Sequence, residues 1–158
     1  MAKFEYVDRI ISTGYEMKNP DFKLPERSTQ FSAGYDFYAP EDILVPGKGA
    51  ITYVKTGVKV KLAEDEFLML CNRSSNPKKK ELVLMNGVGI VDSDYYGNPD
   101  NDGEICFTFS SLNETGSFIK KGDKIGQGII QKFIKVENDY SSNPTASRVG
   151  GFGSTDEK

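Results

Sequence analysis

Apolar side chains recur along this chain with a period of two rather than 3.6. Val58, Val60 and Leu62 alternate with Lys59 and Lys61, and Ile105, Phe107 and Phe109 alternate with Cys106, Thr108 and Ser110, the pattern of strands buried on one face. The same reading predicts strands over 4–11, 43–45, 51–54, 67–71, 82–85, 89–91 and 129–136. Turn chemistry separates them at Pro46-Gly47, Asn86-Gly87, the run from Asn98 to Gly103, and Gly122-Asp123. Asn86-Gly87, with a strand on either side, predicts a hairpin. Many short strands with regular turns imply an all-β sandwich, jelly roll or barrel. Little helix is expected beyond a turn or two around Asn76 to Leu82, where Pro77 suits a first helical position. No repeat of solenoid or propeller length is visible.

The 158 residues suit one domain with one core. After residue 140 the character changes. Ser141-Ser142-Asn143-Pro144 is linker-like, and Gly150-Gly151-Phe152-Gly153-Ser154-Thr155 is too glycine-rich to pack as a core element. We therefore expect a compact domain over 1–140 and a flexible arm over 141–158, in which Phe152 is unexplained by folding alone.

Charge and composition narrow the chemistry. A formal net charge of -3 argues against bulk attraction to nucleic acid, so a polyanionic ligand needs local cations or a metal. No stretch approaches the roughly 20 apolar residues of a membrane helix, and the first residues lack the apolar run of a signal peptide. A soluble cytoplasmic protein is expected. Cys71 and Cys106 lack a CxxC partner, which leaves them as two free buried thiols. Histidine is absent, which removes histidine-based triads, metal ligands and general bases together. Acid-base chemistry falls to Asp, Glu, Lys or Tyr.

Five segments carry candidate chemistry. In Asn86-Gly87-Val88-Gly89-Ile90-Val91-Asp92-Ser93-Asp94-Tyr95-Tyr96-Gly97, glycines allow main-chain groups to approach a planar ligand. Asp92 and Asp94 share a face if the chain stays extended, and the tyrosines can pack on a sugar; a bare DSDY is more often a polar strand end entering a turn. Arg73, Ser74 and Ser75 offer a guanidinium and two hydroxyls suited to phosphate, or a helix cap beside a solvated arginine. Asp36, in Ala33-Gly34-Tyr35-Asp36, is a buried supporting carboxylate or an edge residue facing water. Gln127, in the glycine-spaced run from Lys121 to Gly128, has room to donate to an oxyanion, although those glycines also suit close backbone packing. The tail from Arg148 to Thr155 lacks the GK[ST] of a Walker loop and resembles a glycine-hinged lid with one cation and one ring. Lys78-Lys79-Lys80 suits a solvated face.

Taken in order, AGYD, RSS, NGVGIVDSDYYG, GDKIGQ and RVGGFGST resemble the five motifs of the trimeric dUTPase family, from Ser32 to Thr155. The resemblance implies a distorted jelly-roll catalytic domain, a homotrimer, sites at subunit interfaces and C-terminal arms exchanged between subunits. It implies the substrate dUTP, with Mg2+ held mainly by substrate phosphates and waters rather than directly by protein, and no direct nucleic-acid partner. Asp92 would be the general base that activates water against the α-phosphorus. Asn86 and the backbone of Gly87, Gly89, Ile90 and Val91 would read uracil, a narrow hairpin excluding thymine's methyl group. Tyr95 would stack under the deoxyribose and exclude a 2'-hydroxyl. Arg73, Ser74, Ser75 and Gln127 would hold phosphates and Arg148 the γ-phosphate. Phe152 would cover the uracil, with Gly153, Ser154 and Thr155 beside it. Asp36 and Asp94 would support the site.

Three departures from the family pattern stand out. Arg148 is one residue closer to Phe152 than in the commonest spelling. Asn76-Pro77 and three lysines replace the usual residues after RSS. The insertion from Asn98 to Gly103 is longer than typical and is similar to phage-encoded or Gram-positive bacterial members. Two other functions would suit such a fold. A dCTP deaminase relative would release ammonia, and its signature is missing, as is a PCxxC zinc motif. A non-catalytic regulatory jelly roll would have lost Asp92, Tyr95 or the glycine tail, and all are present.

Overall fold

The alternation in the sequence becomes antiparallel ladders. The computed structural model describes residues 1–9 and 23–139, which hold twelve strands and little helix. β1 (Lys3–Tyr6) lies against β6 (Val58–Lys61), pairing Phe4 with Val60. β4 (Ile43–Val45) pairs with β11 (Ser117–Ile119). β10 (Cys106–Ser111) runs between β5 (Thr52–Lys55) and β8 (Leu82–Leu84). The largest sheet has the order β2 (Glu26–Arg27), β3 (Tyr35–Tyr38), β12 (Lys124–Lys132), β7 (Glu66–Asn72) and β9 (Val88–Asp92). Neighbours that are distant in sequence give this all-β chain the arrangement of a distorted jelly roll.

One face of the five-stranded sheet forms the core with β10. Phe37 meets Phe107 edge-on at 5.3 Å, and Phe107 stacks on Phe109 at 6.0 Å. The glycines of β12 are the reason this packing closes. A Cβ on Gly126 would collide with the Phe107 ring, and one on Gly128 would come within 2.8 Å of Leu68 and 2.9 Å of Phe37. Phe107 is fully buried and has nowhere to go. Gly126→Ala should therefore destabilise the protein by about 1–3 kcal/mol, the usual cost of overpacking a core. Thermal unfolding checks this, and an unchanged midpoint would mean that the ring has slack after all.

Several elements differ from the sequence reading, each for a physical reason. The strand expected over 4–11 leaves its ladder after Tyr6: the Val7 N–H donates to Gly57 O at 2.9 Å and the Asp8 N–H to the Asp102 carboxylate at 2.7 Å. Residues 10 and 11 lie outside the described residues. The strand expected over 129–136 starts earlier, at Lys124, and stops at Lys132, opposite Glu66, where β7 begins and cross-strand partners end. Ile134 beyond it is 96% exposed. β10 is buried on both faces, not one, because strands flank it and layers cover it; Thr108 and Ser110 are buried with the phenylalanines. Lys59, expected to face water, is 5% exposed and ion-paired to Asp8 at 2.9 Å and Asp102 at 2.7 Å. Cys71 and Cys106 are free but only half-buried. Burial pushes the Cys106 thiol up to about 12, so it stays protonated at neutral pH.

The expected hairpin is a corner. The Gly87 N–H does close a turn on Leu84 O at 3.1 Å, and Gly87 takes φ +68°, which its missing Cβ permits. The flanking strands, however, do not pair with each other: β8 joins β10 and β9 joins β7. Asn86-Gly87 thus carries the chain from one sheet to another. The helical turn at Asn76–Lys80 forms as expected, with Pro77 in its first positions, although it is π-helical. Its Lys80 is not simply solvated but ion-paired with Asp123. β2 and β11, too short for alternation to reveal, were not expected.

Candidate active site

Four of the described candidate residues, Asp36, Ile90, Asp92 and Gln127, lie on the outer face of the five-stranded sheet. Asp36 on β3 is paired in register with Gln127 on β12, Gln127 with Cys71 on β7, and Cys71 with Val88 on β9. These side chains therefore share one face at one level of the sheet. Gly34 lies beneath Gln127, and a Cβ there would crowd that side chain, 2.4 Å from its Oε1 and 3.3 Å from its Cβ.

Around Asp36 the charges converge. Lys124 Nζ donates to its carboxylate at 2.7 Å, Ser28 donates its hydroxyl, and Arg73 Nε lies at 3.5 Å. Asp36 is 8% exposed. Burial would raise its pKa, but the hydrogen bonds from Lys124 and Ser28 and the charges of Lys124 and Arg73 outweigh it, holding the carboxyl below the ordinary aspartate value. Of the two readings of Asp36, an edge residue facing water does not hold: the carboxylate is buried and paired. Arg73 also donates to Lys124 O at 3.3 Å. It is not a solvated neighbour of a cap, and Ser75, at the N-cap position, makes no side-chain capping bond. Arg73 and Lys124 meet at one carboxylate, with Gln127 in register beside it and Ser74 and Ser75 following Arg73, and such donors suit the oxygens of an anion. Lys124 and Ser28, which contact Asp36, were not among the candidate residues. Lys124 stands in the GDKIGQ segment, and its position three residues before Gln127 was the available signal; Ser28 gave none.

β9 is an edge strand whose ladder partner among the described residues is β7. Its outward side chains are Val88, 49% exposed, Ile90, 51% exposed, and Asp92, also exposed. Gly89 and Val91 face inward, Gly89 so closely that a Cβ would lie 3.2 Å from Leu70. The exposed Asn86 accepts a hydrogen bond from the Thr108 hydroxyl at 3.4 Å, steadying the turn that precedes this edge. A strand edge offers main-chain donors and acceptors in fixed geometry, and a flat heterocycle can use them. Asp92 ends the strand and Ser93–Tyr95 form a 3-10 turn, so Asp92 and the exposed Asp94 do not share a strand face. Tyr95, by contrast, is 7% exposed and part of the core.

The two groups of residues stand apart. Asp92 pairs with Phe67, near the start of β7, whereas Arg73 follows the end of that strand. Six residues at about 3.3 Å each put them roughly 20 Å apart along the sheet. A single chain brings together Asp36, Arg73, Lys124 and Gln127 at the level of Val88, with Asn86 just before it, and holds Asp92 at the far end of β9 from them. Arg148, Phe152, Gly153, Ser154 and Thr155 lie outside the described residues. Among the described residues no three His, Cys, Asp or Glu side chains gather as a metal cage, and no helix is long and apolar enough to cross a membrane.

Comparison with known proteins agrees with this fold and these segments. The family profile for dUTPase matches residues 20–156. A deoxyuridine 5'-triphosphate nucleotidohydrolase of Lactococcus lactis is 41% identical over 139 residues, 87% of this chain and 91% of the relative. The crystal structure of the dUTPase from Streptococcus mutans superposes with a TM-score of 0.75 at 36% identity, covering 85% of this chain and 98% of that one. The dUTPase of phage phi11 of S. aureus, in a mutant structure that reveals coordination of a structural Mg(II) ion, has the same fold at 17% identity, with a TM-score of 0.66 over 90% of this chain and 97% of its own. Family profile, close relatives and shared fold together establish that this chain belongs to the dUTPase family.

Proposed function

We propose that the protein hydrolyses dUTP to dUMP and pyrophosphate, with Asp92 as the general base. The observation that carries this reading is the placement of an exposed carboxylate at the end of an edge strand, in a chain that matches the family throughout its motif-bearing length. Uracil is read by the main chain of Gly87, Gly89, Ile90 and Val91 beside Asn86. The turn before β9 being a corner rather than a hairpin, discrimination against thymine rests on how closely the ring seats against β9. Tyr95 lies under the deoxyribose, and Asp94 supports the turn that carries it. Asp92 takes a proton from a water molecule aligned with the α-phosphorus; the new P–O bond forms as the bond to the bridging oxygen breaks, and pyrophosphate leaves with its electron pair. Arg73, Ser74, Ser75 and Gln127 hold the phosphates, and Asp36 keeps Arg73 and Lys124 in place.

The triphosphate enters as its Mg2+ complex. One carboxylate already engaged by two cations suits an ion carried by phosphates and waters, the usual habit of magnesium, better than a dedicated protein cage. When bound, the ion offsets charge that this acidic chain would otherwise repel.

Since the base and the phosphate-holding residues lie roughly 20 Å apart in one chain, a complete site needs a second copy, and exposed Val88 and Ile90 supply apolar surface for such an interface. The assembly we propose is the homotrimer that the family resemblance implies, with three sites at its interfaces, each closed by an exchanged arm, residues 141–158, in which Arg148 contacts the γ-phosphate, Phe152 covers the base, and Gly153, Ser154 and Thr155 line the phosphates. The jelly-roll domain then spans 1–140, and the enzyme works in the cytoplasm without nucleic acid as a partner.

The direct test is pyrophosphate release from dUTP, dCTP, dTTP and UTP with and without Mg2+. Turnover of dUTP alone, lost on chelation, is the expected result. Ammonia from dCTP would favour a deaminase, and no reaction with any of the four would end the proposal.

A further inference from the structure

The loop from Asn98 to Gly103 packs against Tyr95. Asn101 Nδ2 donates to the Tyr95 hydroxyl at 2.6 Å, and that hydroxyl points its own proton at Glu104 O, 3.4 Å away. Asn101 is itself fixed: its Oδ1 accepts the Gly103 N–H at 3.0 Å and its main-chain oxygen the Glu104 N–H at 3.0 Å. The loop lies directly on the backbone of Tyr95. Gly103 has φ +77°, and a Cβ there would collide with Tyr95 O.

The loop is anchored at its far side as well. The Asp102 carboxylate binds Lys59 at 2.7 Å and the Asp8 N–H at 2.7 Å, and Lys59 lies 5.0 Å from the centre of the Tyr96 ring. At its start, Asn98 accepts the Asp102 N–H on its main-chain oxygen at 2.7 Å and the Asp100 N–H on its side chain at 3.0 Å. A part-buried ion pair at one end and hydrogen-bonded turns within leave the Asn101 amide little freedom, and so little freedom for the hydroxyl it holds.

We propose that Asn101 is a positioning residue for sugar selection: through the Tyr95 hydroxyl it fixes the ring that lies under the deoxyribose, and so sets how firmly the site refuses a 2'-hydroxyl. This rests on the sugar-facing role given to Tyr95 above. Rejecting one added oxygen by shape requires a wall that cannot retreat, and such a wall must be held to about half an ångström. The ring alone supplies the surface; the amide behind it supplies the stiffness.

The experiment measures kcat/KM for dUTP and for UTP in the wild type, Asn101→Ala, Tyr95→Phe and the double variant, with melting temperatures alongside. Shape discrimination by a packed pocket spans about 10–200-fold, and the dUTP-to-UTP ratio should fall about tenfold or more in each single variant. The double variant should fall no further, since both substitutions break the same bond. A loss of melting temperature with the ratio preserved, or losses that multiply in the double variant, would overturn the clamp. If Asn101→Ala does not fold, Asn101→Asp decides, because it keeps the oxygen that accepts the Gly103 N–H and removes only the amide donor to Tyr95. A wild type that does not cleave dUTP refutes the proposed function instead, so the two failures are distinct.

Discussion

Asp92→Asn should bind dUTP about as the wild type does and turn it over at least about a hundredfold more slowly, the lower end of what a positioned general base contributes. The substitution keeps shape and removes basicity. Asp92 is exposed at the end of β9 and outside the core, so neither folding nor assembly should suffer. The loss should fall on kcat, with kcat/KM following it, as for an interaction made only in the transition state. Calorimetric titration with a non-hydrolysable dUTP analogue and pyrophosphate release together check both halves. Turnover at the wild-type rate would remove Asp92 from the chemistry, whereas loss of binding would assign it to ground-state recognition.

The second large effect comes from mixing. Arg73→Ala should also be nearly inactive, since it strips a cation from the phosphate-holding cluster and leaves Asp36 with fewer partners. If each site takes Asp92 from one chain and Arg73 from its neighbour, co-assembling the two inactive variants restores intact sites. With random assortment in a closed ring, about one interface in four pairs an unaltered base with an unaltered cation. Refolding the variants together at equal amounts should thus recover roughly a quarter of wild-type activity, while each refolded alone stays inactive. Persistent inactivity of a verified mixed assembly would mean that both groups act within a single chain, against the 20 Å or so implied by the register of β7.

The contrast between those two groups also explains what the sequence could convey. Period-two alternation identified β6 and β10 as strands, since packing on one face selects an apolar side chain at every second position. It misjudged Lys59, because a lysine with a carboxylate on either side becomes a core member without any change in its own letter. Asn86-Gly87 encodes a tight turn and nothing about where the following strand goes; that choice belongs to β7 and β10, each offering an edge. Among the candidate site residues, Asp36 was legible through the order of motifs and not through its surroundings, since Ser28, Arg73 and Lys124 reach it from 8, 37 and 88 residues away in sequence. The nearness of Asn101 to Tyr95 was equally hidden: a run rich in Asn, Asp and Gly announces a turn, but not what the turn leans on.

The length of β7 has a consequence for anyone recombining this chain with a relative. Its seven residues separate the level of Asp92 from the bend that launches Arg73. Because neighbouring positions on a strand look in opposite directions, adding or deleting one residue there would turn Cys71 and Met69 inward and thrust Leu68 and Leu70 into solvent. Insertions should be tolerated only in twos, and a chimaera spliced within β7 should keep its parity or fail to assemble.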